Sequence, residues 1–183
     1  FATIEPNNGI VPVLDERLPK LAELYNSQKI IPATVTFVDI AWLVAGASKG
    51  EGLGNQFLAN IRSCNAICHV VRAFNDPNVQ HVDELYEPKK DIDVINTELV
   101  LADLQTVTSR LPKIEKEARA NPKLKPVADC LIKVKTLLDS NKPLFSDPGL
   151  LGEARELLAA LQLLTAKPVI YLFNVDEQSV ADN

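Results

Sequence analysis

The sequence predicts an α/β fold, a mainly parallel sheet flanked by helices, with a helical hairpin inserted into it. Three observations carry this expectation. Short apolar runs alternate with helical patterns through the first third of the chain, the order that βα units produce. From Asp91 to Leu161 the apolar residues instead recur at three-and-four spacing. A last apolar run, Pro168–Phe173, then ends on Asn174 and returns the chain to the sheet, which argues against an independent helical bundle.

The elements follow in order. Gly9–Val13 is a candidate strand, and Arg17–Tyr25 places Leu18, Leu21 and Leu24 on one helical face. Thr34–Asp39 (Thr-Val-Thr-Phe-Val-Asp) is a β-rich run that stops on a carboxylate. The loop from Gly46 to Gly54 holds four of the seven glycines. Asn55–Cys64 resumes helix, Ala66–Phe74 reads as a buried strand, and Asn75–Lys90 is a polar surface loop. The expected sheet therefore contains Gly9–Val13, Thr34–Val38, Ala66–Phe74 and Val169–Phe173.

Asp91 is placed to cap the first long helix, whose apolar face carries Ile92, Ile95, Leu99 and Ala102, then Leu104, Val107 and Leu111. Pro112 should kink or end it, because proline deletes a helix hydrogen bond and clashes with the preceding turn. Pro122 and Pro126 bracket a turn into a second helix with Val127, Leu131, Val134 and Leu138. Asp147-Pro148-Gly149 marks another break, before Leu151, Ala154, Leu158 and Leu161. The organisation expected is 1–90 as a partial nucleotide-binding domain, 91–166 as the insertion and 167–183 as the return.

Composition narrows the function. With 183 residues, 46% hydrophobic and 23% charged, the chain is of ordinary globular make-up and one domain in size. Its apolar runs are too short for a membrane-spanning helix. A net charge of −5 and 5% aromatic residues give no support for direct nucleic-acid contact beyond local basic patches. Three cysteines without metal-ligand spacing suggest a reducing compartment. The sequence contains no methionine and opens on Phe1-Ala2-Thr3, so we read it as an internal stretch of a larger protein.

Individual residues are ambiguous by themselves. Asp39 closes an apolar strand, where α/β sheets bind ligands, and could hold Mg²⁺ or simply cap a helix. The glycine-rich segment could be a mobile switch or a linker; it does not match G-x-x-x-x-G-K-[ST]. Asn174-Val175-Asp176-Glu177 could read a base edge or form a turn. Cys64, Cys68 and His69 invite a metal reading, but Cys68 and His69 fall in or beside an apolar strand, where a satisfied core thiol is the readier reading, and His81 stands in a polar loop.

Together the segments are specific. Phe1-Ala2-Thr3-Ile4-Glu5-Pro6-Asn7, Phe37-Val38-Asp39-Ile40-Ala41 and the string from Gly46 through Leu58 resemble the YchF subfamily of Obg-like P-loop GTPases. Ile95-Asn96-Thr97-Glu98-Leu99 and Leu163-Leu164-Thr165-Ala166-Lys167-Pro168 fit the same subfamily, so the resemblance runs along essentially the whole chain. It implies a P-loop NTPase-like fold whose insertion is an antiparallel coiled-coil hairpin. It also implies a cytoplasmic, ribosome-associated switch protein that hydrolyses ATP, and GTP, with Mg²⁺ in translation or stress responses.

The same resemblance assigns roles by position. Thr3 and Asp39 would be metal ligands, and Asn174 and Glu177 base-recognition residues with the Val175 backbone beside them. The Asn-x-x-Glu pattern favours ATP over GTP. No catalytic residue is assigned; the switch region holds Asp39 and Leu43, the latter where other GTPases carry a water-orienting glutamine. Trp42 stands where the family has a glycine whose N–H meets the γ-phosphate, and should obstruct γ-phosphate sensing. The phosphate-binding loop, expected upstream of Thr3, and the TGS-type domain do not occur in these 183 residues, so this chain alone should bind nucleotide poorly. The alternative is a non-catalytic module that docks a ribosomal or protein partner through its helices.

Overall fold

A computed structural model describes residues 7–40, 53–75, 87–177 and 180. Thr3, Trp42, Leu43 and the glycine-rich segment up to Gly52 lie outside them, as does His81. The chain divides into two compact units, Phe1–Trp42 and Leu43–Asn183.

In the first unit, β1 (Asn7–Pro12) pairs with β2 (Thr34–Asp39). The pairing is antiparallel, with Asn7 opposite Asp39 and Pro12 opposite Thr34, which corrects the expectation that these strands join a mainly parallel sheet. A parallel crossover must bury its helix against the sheet. The intervening helix α1 (Arg17–Leu24) has no buried residue, so the chain simply turns back. Asp15 starts α1 by accepting from the Arg17 N–H at 3.0 Å and holds the Arg17 guanidinium at 2.7 Å. None of residues 7–40 is buried.

The second unit opens with α2 (Leu53–Ser63) and β3 (Ile67–Ala73). It closes with β4 (Val169–Val175), which is parallel to β3, with Ile67 opposite Val169 and Ala73 opposite Val175. This pair is the parallel sheet the sequence implied. Alternation splits its faces. His69 and Tyr171 are register partners on the face toward the long helix that follows, and their rings lie 5.5 Å apart. On the other face Val70, Ile170 and Leu172 are all more than half exposed, and Cys68 is exposed with them rather than lying in the core.

Between the strands run α3 (Pro88–Ala120), α4 (Lys125–Asp139) and α5 (Pro148–Leu157). Pro88, at the first turn of α3, opens the helix, so Asp91 lies inside that turn instead of capping it. Asn121 accepts from the Lys123 N–H in the turn before α4, and Asp147 caps α5 by accepting from the Leu150 N–H at 3.0 Å. Val100 and Val107 of α3 meet Leu131, Val134 and Leu138 of α4 and Leu150 and Ala154 of α5 in one buried cluster, closed by Leu144, Leu158 and Leu163. A third helix and two buried turns therefore share the core with α3 and α4. Among the described residues no helix is long and apolar enough to cross a membrane.

Pro112 neither ends nor divides α3, which continues for two further turns to Ala120. Leu111 and Ile114 pack against the buried cluster on either side of it, and this burial outweighs the missing backbone bond. Replacing Pro112 by Ala should therefore raise the stability of the unit, by up to about 3 kcal/mol, read as a higher urea midpoint.

Burial holds the His69 imidazole below the ordinary histidine range, with Asp91 opposing. A histidine whose folded pKa is depressed contributes stability that is full above its unfolded value of 6.5 and is lost as pH falls through the folded one. Urea midpoints measured from pH 7 to pH 5 should fall more steeply for the native chain than for His69→Gln.

Candidate functional site

Parallel pairing brings the carboxyl ends of β3 and β4 to one edge, where α/β proteins bind ligands. The last two residues of β4 there are Asn174 and Val175, opposite Arg72 and Ala73. Asn174, Val175 and Glu177 are all exposed, with Asp176 between them. An amide and a carboxylate in solvent at a strand end can supply both donors and acceptors to a heterocyclic edge. Beside them the Arg72 guanidinium stacks over the Phe74 ring at 4.7 Å and donates from Nε to the Phe74 carbonyl at 3.1 Å. Sequence reasoning missed this pair; the signal available was an arginine two residues before an aromatic at a strand end.

Asp39 is the exposed last residue of β2 in the first unit. A lone carboxylate at a strand end suits Mg²⁺, which binds through one or two carboxylates and keeps its waters. Among the described residues no group of three or more His, Cys, Asp or Glu side chains could hold a metal by itself.

What keeps β4 in place lies at the opposite edge. Asp103, on α3, is fully buried. One carboxylate oxygen accepts from the Leu164 N–H at 2.8 Å, and the other from the Thr165 N–H and hydroxyl, each at 2.8 Å. Arg62, at the end of α2, stands 4.0 Å from the same carboxylate and donates to the Thr106 hydroxyl at 2.9 Å and the Gln162 carbonyl at 3.3 Å. Gln162 is left-handed, with φ 48°, and its carbonyl is the one Arg62 reaches. Lys167 closes the arrangement by donating to the carbonyls of Arg62 and Cys64.

Burial raises the Asp103 carboxyl above the usual range, against the pull of the Thr165 and Leu164 donors and of Arg62. Burial also lowers the Lys167 ammonium. The sequence signal for Asp103 was present: Leu99, Asp103 and Val107 share one helical face, so a carboxylate sits where a core residue belongs.

These features define an α/β protein, and its likeness to a solved YchF GTPase points to a P-loop NTPase-like fold. The YchF GTPase of Schizosaccharomyces pombe has a similar structure, with a TM-score of 0.75 and 38% identity over 99% of this chain and 50% of that one. The ribosome-binding ATPase YchF of Bacillus subtilis is 49% identical over 183 residues, all of this chain and 50% of the relative. Its Escherichia coli O157:H7 counterpart is 45% identical over 189 aligned residues, again half of the relative. No protein-family model matches the sequence. The chain belongs to the YchF family, and it spans about half the length of the curated relatives it matches.

Removing the buried acceptor should be costly, because two backbone N–H groups and a hydroxyl would lose their partner. Asp103→Ala is expected to destabilise the second unit by about 3–5 kcal/mol and Thr165→Val by about 1–2 kcal/mol, both read from urea unfolding.

Proposed function

We propose that this chain is the switch and helical-insertion part of a YchF-type ATPase that binds and hydrolyses ATP, and GTP, with Mg²⁺ in the cytoplasm, in association with the ribosome. The observation that carries the reading is whole-length similarity to ribosome-binding ATPases, combined with Asn174 and Glu177 standing together at the carboxyl edge of β4.

In this reading Asn174 and the Val175 backbone receive the base edge. Glu177 occupies the place where guanine-specific sites carry a shorter carboxylate, so guanine loses its preferred acceptor. Asp39 and Thr3 would hold Mg²⁺, which supplies positive charge against the phosphates. Catalysis is then mostly positioning and electrostatics. Residues 91–166 are the helical insertion in this reading. The open apolar face of Val70, Ile170 and Leu172 is one that a longer YchF protein covers, since parallel sheets are buried on both sides.

A second reading is an interaction module without turnover. It is favoured by a helical body that has its own buried core.

A longer chain carrying the phosphate loop ahead of Thr3 separates them. It should turn over ATP faster than GTP, with an Asn174→Ala variant raising KM for ATP about tenfold. Trp42→Gly in that chain should increase turnover if the indole obstructs the γ-phosphate. Absence of turnover in both chains would favour the docking module, and a preference for GTP would overturn the assignment of Asn174 and Glu177.

A further inference from the structure

The clasp around Asp103 borders a cavity of about 350 Å³ at the amino edge of β3 and β4. Three cations from separate parts of the sequence line it: Arg62 from the end of α2, Arg155 from α5 and Lys167 just before β4. No aspartate or glutamate is among its described lining residues, although the chain as a whole carries −5. Asn65 and Gln162 add neutral polar groups. The Asp103 carboxylate stands 4.0 Å from Arg62 and is closed from solvent.

Arg155 and Lys167 are held in position by backbone carbonyls, whereas Arg62 also stands 4.0 Å from the buried Asp103 carboxylate. Arg155 donates from Nε and Nη2 to the Ala166 carbonyl at 3.1 and 2.8 Å. Lys167 Nζ donates to the Arg62 and Cys64 carbonyls, and Arg62 is fixed by Gln162 and Thr106. A carbonyl orients a cation without neutralising it. A guanidinium has five N–H donors, of which these bonds use two on each arginine, so donors remain for a ligand. Pre-positioned guanidinium groups lining one pocket suit the bidentate recognition of phosphate.

We propose that this pocket binds a phosphate-class oxyanion, free or carried on a small organic ester. The site is separate from the nucleotide edge. Asn65, Lys167 and Pro168 precede the strands, whereas Asn174 is the last residue but one of β4, and the strand puts about 20 Å between the two edges. A bound oxyanion would bridge α2, α5 and the segment just before β4, and so add α5 to the α2 and Lys167 groups that the Asp103 clasp already ties together.

The test is a titration of the ¹⁵N-labelled chain with inorganic phosphate, pyrophosphate and glycerol phosphate, followed by NMR, with EDTA present and ionic strength held constant by sodium chloride. Saturable amide shifts are expected at Asn65, Gln162, Ala166 and Lys167, without matching shifts at Asn174 and Val175. Tighter binding of pyrophosphate assigns a free oxyanion, and tighter binding of glycerol phosphate an ester; either supports the site. Arg155→Gln should weaken binding about tenfold, whereas Lys116→Gln, on the exposed side of α3, should not change it. Should Arg155→Gln fail to fold, the shift map of the native chain decides alone. Shifts no larger than those given by chloride, shifts confined to the Asn174 edge, or equal affinity in a folded Arg155→Gln would overturn the proposal.

Discussion

The second unit depends on one buried carboxylate. Asp103 takes three hydrogen bonds from Leu164 and Thr165 across more than sixty residues of sequence, and so fixes where the helical region ends and the return to the sheet begins. β4 starts four residues later, at Val169, and its pairing with β3 carries Asn174 to the candidate site. Burying a charge is unfavourable, and the Asp103 pKa is raised accordingly. The cost is offset by giving each carboxylate oxygen at least one donor at 2.8 Å, with Arg62 close by. An apolar residue at this position would pack, but it would leave the Leu164 and Thr165 N–H groups buried without acceptors.

The helical region is built differently from a simple two-stranded hairpin. Leu131, Val134 and Leu138 of α4 are shared between α3 on one side and α5 with its flanking turns on the other. This wider core explains why α3 tolerates Pro112. A helix held only by its backbone would break at proline, whereas one pinned by Leu111 and Ile114 accepts the loss of a single bond.

How much of this was legible follows from the range of each interaction. β2 was read to the residue, because Thr-Val-Thr-Phe-Val-Asp is β-branched or aromatic throughout and stops on a charge. The helical faces were legible for the same local reason, and Leu131, Val134, Leu138, Ala154 and Leu158 are all buried as their spacing required. The direction of β1 against β2 was not legible. Pairing is a long-range choice, and what decided β1 against β2 was that α1 buries nothing. In the candidate site the family resemblance names Asn174 and Glu177; their place after an apolar run is a weak signal alone, equally that of a turn. Arg72, which becomes their neighbour only through parallel register, could not be named. The role of Asp103 needed the fold as well, since its partners lie at Leu164 and Thr165.

The two edges of the β3–β4 pair divide the chemistry. At the carboxyl edge polar side chains stand in solvent on strand ends, suited to exchangeable contacts with a ligand. At the amino edge cations and a carboxylate are tied to backbone groups and link α2, α3, α5 and β4. Two paired strands are too few to be rigid alone. The fixed edge therefore anchors the open one: the Thr165 bonds to Asp103 set where β4 begins, and its register with β3 sets where Asn174 stands. The position of Asn174 is thus set by buried groups at the far edge of the strand pair.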